Sequence, residues 1–116
     1  MPPVVLIIER RTEVALALES AIAMSNLSPI VVQHLERLGD VPYVVAAIVV
    51  RVAFEGVGEP AHVAVEHLPS NRPPIVAIAT TQEEIAEARR MKCDVVLQAP
   101  QEINRLCETL TKIVGT

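Results

Sequence analysis

The sequence predicts an α/β domain, a parallel β-sheet with helices on both faces. Three observations carry this. Residues 44–50, VVAAIVV, are apolar at every position, as are residues 4–8, VVLII. A strand with one wet face would alternate apolar and polar residues, so unbroken β-branched runs read as strands covered on both sides. Such runs recur along the chain with helix-period segments between them, which is the βαβ pattern. A membrane helix would need ~20 apolar residues, and Arg51 stops the central run far short of that.

Each element has its own signal. The strand at 4–8 ends at Glu9-Arg10-Arg11. Thr12 is placed to cap a helix running to about Ser25, with Glu13 in the first turn favouring the positive end of the helix dipole. On it Val14, Ala17, Leu18, Ala21 and Ile22 share one face. Leu16 and Ala23 fall on the other, beside Glu13, Glu19 and Ser20. Asn26 closes it. Residues 28–33, SPIVVQ, form a short strand whose Pro29 suggests a sheet edge. Residues 34–39 make a short helix or turn, and 40–42 lead into the central strand. A Gly-containing loop covers 53–59, and Pro60 suits the first position of a brief helix ending near Leu68. Residues 75–79, IVAIA, are another buried strand. Thr81-Gln82-Glu83-Glu84 fits a capping box and opens a helix to about Met91. Residues 94–98, DVVLQ, are the last strand. From Gln101 a final helix sets Ile103, Leu106, Cys107, Leu110, Ile113 and Val114 on one stripe.

This order predicts a flavodoxin-like three-layer (βα)5 sandwich over residues 1–116 as a single domain, with a five-stranded parallel sheet of order 2-1-3-4-5 and right-handed crossovers. Ligands of such sheets bind outside the carboxyl ends of the strands where the order reverses, here strands 1 and 3. Glu9, Arg10, residues 48–51, Ala79 and Ala99 should lie there.

Composition narrows the function. With 116 residues there is room for one core. Phe54 and Tyr43 are the whole aromatic supply and the formal charge is −4, so both the basic footprint and the stacking platforms of a nucleic-acid binder are missing. Cys93 and Cys107 stand far apart with no CxxC spacing, which suits two thiols in a reducing cytoplasm. The N-terminal stretch MPPVVLIIER has neither the basic start nor the apolar length of a signal peptide.

Four stretches resemble the receiver domain of bacterial two-component response regulators: VLIIER (5–10), PYVVAAI with FEG (42–48 and 54–56), PIVAIAT (74–80) and CDVVLQAP (93–100). The likeness spans the whole chain. It implies a domain that takes a phosphoryl group from a histidine kinase onto an aspartate, with Mg²⁺ held by that aspartate and an acid pair. The site positions differ. The acid pair reads Glu9-Arg10. Spacing from Pro42 and Gly56 puts the phosphoacceptor at Ile48. Ala79 stands for the strand 4 hydroxyl, with Thr80 one residue beyond. Ala99 stands for the lysine before Pro100, and Val96 for the aromatic that moves with the hydroxyl. Mg²⁺ wants hard oxygens anchored by carboxylates, and Ile48 offers no nucleophilic oxygen. Moving the alignment by a residue or two does not help, because 44–54 contains no acid. An inward Arg10 would further repel a cation. A degenerate receiver, its crevice filled by aliphatic side chains, is expected, with no catalytic residue, metal or cofactor.

Other features have plainer readings. Gly56-Val57-Gly58-Glu59-Pro60-Ala61 matches a GxGxxA dinucleotide pattern, but Glu59 would face the pyrophosphate and Pro60 removes an amide. His62 and His67 fall on different sides of a helix with no further ligand nearby, and solvent exposure is expected for His62. Cys93 and Cys107 should pack as small apolar groups. Arg89, Arg90 and Lys92 suit a helix C-terminus. With Glu84 they also form a candidate interaction face, and Leu16 and Ala23 a second one. The expected function is a phosphorylation-independent signalling module that binds a histidine kinase, another regulator or its own copy, without nucleic acid or membrane insertion. The alternative is a small-molecule or nucleotide sensor using the crevice at strands 1 and 3.

Overall fold

The computed structural model describes residues 2–32, 45–54, 62–66, 68 and 72–115. Strands β1 (Val4–Ile8), β2 (Ser28–Val32), β3 (Val45–Arg51), β4 (Ile75–Ala79) and β5 (Val95–Gln98) form one parallel sheet in the order β2-β1-β3-β4-β5. This is the predicted flavodoxin-like arrangement, with β2 at an edge. The helices among the described residues are α1 (Thr12–Ala23), α2 (Val63–Glu66), α3 (Gln82–Arg90) and α4 (Leu106–Ile113).

The unbroken apolar strands feed two cores. Successive residues of a strand point to opposite faces. Val5, Ile7, Ala47, Val49, Val76, Ile78 and Leu97 pack with Leu18 and Ile22 of α1 and with Leu106 and Leu110 of α4. Leu6, Ile8, Ile48, Val50, Ile75 and Ala77 pack with Val65 of α2 and Ala88 of α3. Each fully buried Val, Leu or Ile contributes roughly 1.5–3 kcal/mol before entropy, so polar alternation would weaken one layer or the other.

The helix ends differ in how they are held. Thr81 caps α3 as its spacing predicts: its hydroxyl accepts from the Glu84 N–H at 3.1 Å, and Glu84 Oε1 accepts from the Thr81 N–H at 3.2 Å. At α1 the capping position is Arg11, not Thr12, and no side chain makes a cap bond there. Its buried residues are Ala15, Leu18 and Ile22, so the inward stripe is turned one residue from the predicted one, and Ala17 and Ala21 are exposed. Asn26 takes a left-handed φ of 59° and ends the helix, three residues after Ala23.

The final helix starts later than predicted. The Gln98 and Glu102 backbones and the Glu102 carboxylate bond to one another: the Glu102 N–H reaches the Gln98 carbonyl at 2.7 Å, and the Gln98 N–H reaches Glu102 Oε1 at 3.0 Å. This holds 98–102 as a turn. A short 3₁₀ turn, Ile103–Arg105, then leads into α4, and Ile103 is left outside the core. The predicted helix or turn at 34–39, the glycines of the 53–59 loop and the Pro60 helix start lie outside the described residues.

Candidate functional site

The site is built where β1 and β3 end side by side. Register pairs Ile7 with Val49 and Ile8 with Val50, which brings the next residues, Glu9 and Arg51, opposite each other. Both share the parity of Ile7 and Val49, so both belong to the face covered by α1 and α4. Arg51 Nε donates to Glu9 Oε2, and Arg51 Nη2 donates to Oε1 at 3.3 Å. The Arg11 backbone N–H adds a third bond to Oε1 at 2.9 Å. Glu9 is 3% exposed and the Arg51 side chain 19%. A guanidinium fork on a carboxylate is a strong charge-assisted arrangement, and Arg keeps its charge at any pH a protein meets.

Ile48 is elsewhere. It pairs with Leu6 and Ile75 in the middle of the sheet, and its side chain is buried in the core under α2 and α3. It therefore lies three residues short of the strand end and on the opposite face from Glu9. Counting from Pro42 and Gly56 placed it at the mouth of the crevice. The register puts Arg51 there instead, as the last residue of a strand first expected to stop at Val50. Arg10, the cation considered for the crevice, is exposed.

Ala79 is fully buried at the end of β4, and its carbonyl accepts the Ala99 N–H at 2.8 Å, so the two alanines lie together. Thr80 is exposed and its N–H is held by Glu84 Oε1 at 2.8 Å. Val96 packs against the core on the α2–α3 side. Among the described residues the donor set at the strand ends does not fit Mg²⁺: the Glu9 carboxylate is already held by a guanidinium and a backbone N–H, where such a cation needs free hard oxygens. No group of three or more His, Cys, Asp or Glu side chains suited to a metal occurs among the described residues.

Beside the pair lies a cavity of about 380 Å³. It is lined by Glu13, Val14, Ala17 and Leu18 from α1, by Arg51 and Ile78 from β3 and β4, and by Ala99, Pro100 and Ile103 from the segment after β5. Its exposed lining is almost wholly carbon.

A second polar cluster lies under α3. His62, predicted to be exposed, is only 1% exposed. Its Nε2 is 3.3 Å from Glu87 Oε2, Phe54 meets the ring edge-on at 5.5 Å, and Nδ1 is buried with no hydrogen-bond partner among the described residues. The apolar imidazole edges let it fill a gap that Phe54 and Glu87 close. Arg90 also bonds Glu87, and its guanidinium holds the Glu87 carboxyl below its ordinary value, against burial and with help from His62. Both cysteines are half-buried. Burial pushes the Cys93 thiol up to about 11, and Cys107 Sγ donates to the Ala21 carbonyl at 3.3 Å.

Of the candidate interaction residues, Arg89, Arg90 and Lys92 are exposed at the end of α3, while Glu84 is half-buried in its capping box. Leu16, 56% exposed, and Ala23 lie on the outer side of α1. No described helix is long and apolar enough to cross a membrane.

Solved response-regulator receiver domains are similar to this chain in fold. The chain is similar in structure to a response regulator receiver protein from Pseudoalteromonas atlantica, at a TM-score of 0.79 and 13% identity over 97% of each chain. It is similar also to a CheY-like receiver domain from Methylobacillus flagellatus, at 0.75 and 18% identity over 97% of this chain and 99% of that one. A third likeness is to a sensor protein from Polaromonas sp. JS666, at 0.77 and 16% identity over 97% and 95%. At these identities the likeness is one of fold. No family model and no curated protein matches the sequence.

Proposed function

We propose that the chain is a signalling module that acts by binding a protein partner and does not take up a phosphoryl group. The observation that supports this most is the Glu9–Arg51 pair. A receiver's Mg²⁺ bridges an acid at the end of the first strand and the acceptor aspartate on the third, so the two must stand side by side. The residue beside Glu9 at the end of β3 is Arg51. A guanidinium supplies no nucleophilic oxygen and repels the cation, and the carboxylate that would hold the ion is already bonded. Ala79 and Ala99 remove the hydroxyl and the ammonium that would answer the phosphoryl group.

On this reading the fold is kept as a scaffold for recognition in the cytoplasm. The partner is a histidine kinase, another signalling regulator or a second copy, met through Glu84, Arg89, Arg90 and Lys92 or through Leu16 and Ala23. The test is incubation with acetyl phosphate and Mg²⁺ followed by intact-mass measurement. No adduct is expected. An acid-labile gain of one phosphoryl group would overturn the reading. A second reading, a small-molecule sensor, is supported by the apolar cavity beside Arg51.

A further inference from the structure

We infer that the cavity between α1 and the turn after β5 is a binding site for a small, uncharged, predominantly hydrocarbon molecule. This deepens the second reading above and does not rest on the first. Size is the first argument. At about 380 Å³ the space lies within the ~300–1,000 Å³ typical of ligand sites.

Charge is the second argument. The two ionic side chains of its lining already have partners, Arg51 in the fork on Glu9 and Glu13 with Arg11 at 3.6 Å. Both ionic side chains are thus engaged within the protein, and the surface left to a guest is almost wholly carbon. Val14, Leu18, Ile78, Ala99 and Pro100 offer carbon surface to a neutral guest. Position agrees, because the cavity opens at the carboxyl ends of β3 and β4 beside the β1/β3 reversal of strand order, the place where open α/β sheets bind ligands.

N-phenyl-1-naphthylamine, a neutral fluorophore that brightens in apolar surroundings, is the probe. Saturable one-to-one binding is expected, with amide shifts in the NMR spectrum at Ala17, Ile78, Ala99 and Ile103. Ala17 lines the cavity from an exposed helix position, so Ala17→Phe should fill it with the fold intact, which circular dichroism checks. It should weaken the probe by about tenfold or more. Ile103→Glu, which adds an unpaired charge to the lining, should weaken it too. Absence of saturable binding up to the probe's solubility limit overturns the inference, as does binding that both variants leave unchanged. If nucleotides stabilise the protein in a thermal-shift assay and the neutral probe does not, the sensor reading stands and this assignment falls. If Ala17→Phe alters the sedimentation of the protein and not probe binding, the cavity receives a second copy, and the assignment falls again.

Discussion

Two carboxylates, the buried Glu9 and the half-buried Glu87, sit in the same molecule under different rules. Glu9 lies at the end of the sheet, held by both arms of Arg51 and by a backbone N–H. Glu87 lies on α3 between His62, whose Nε2 is 3.3 Å away, and Arg90, which is mostly in solvent. In the first cluster the carboxylate is matched to a permanent cation. In the second, His62 Nδ1 has no hydrogen-bond partner among the described residues. The difference teaches what each cluster contributes. Removing one member of a fully paired buried couple strands a charge, whereas replacing a half-satisfied group also removes the cost of its unpaired atom.

The largest expected effect follows directly. Arg51→Met keeps much of the aliphatic stem and strands Glu9, and should cost about 3–5 kcal/mol in urea unfolding. Glu9→Leu combined with Arg51→Met should restore most of that loss, because both charges are then gone. If Arg51→Met costs less than about 1 kcal/mol, Glu9 is being hydrated in the folded state and the contrast between the clusters disappears.

Much of the architecture could be read in advance because each β-run announces itself: IVAIA and VVLII have no polar residue to break their burial on two faces, and Thr81-Gln82-Glu83-Glu84 carries its own capping chemistry. The site was harder to read for the same reason. A strand of seven apolar residues has no polar landmark, so its register cannot be counted from inside, and Ile48 was assigned to an edge that belongs to Arg51. A usable signal was present. Arg51 is a single cation closing one apolar run, and Glu9 a single acid closing another. Opposite charges at the ends of adjacent parallel strands are expected to meet. His62 left no comparable trace, since its burial depends on Phe54 and Glu87, 8 and 25 residues away in sequence and joined to it only by the fold.

His62→Leu should therefore have a much smaller effect than Arg51→Met. It forfeits the contact with Glu87, worth roughly 1.5–3 kcal/mol for a bond to a charged group, and removes the unpaired Nδ1, which costs about 1–3 kcal/mol. The two nearly cancel, so the midpoint of urea unfolding should move by less than about 1 kcal/mol equivalent. A loss as large as that for Arg51→Met would mean that the His62–Glu87 contact outweighs the cost of Nδ1, and the two clusters would then be alike.

The smallest effect is a slope in acid, and its sign is set by Glu87. Arg90 first, and His62 after it, hold this carboxyl below its ordinary 4.5, with burial opposing them. In the unfolded chain, without those partners, it binds its proton more readily. Its contribution to stability is therefore complete above the ordinary carboxylate value and is lost as pH falls through the lower folded value. Arg90 is exposed, so solvent and salt weaken the contribution. Stability measured from neutral pH down through the carboxylate range should fall less steeply for Glu87→Gln than for the parent chain, and the difference between the two should shrink in high salt. Curves that superimpose at low salt would mean that the guanidinium of Arg90 does not hold Glu87 in solution. The second cluster would then be reduced to one imidazole with a single partner.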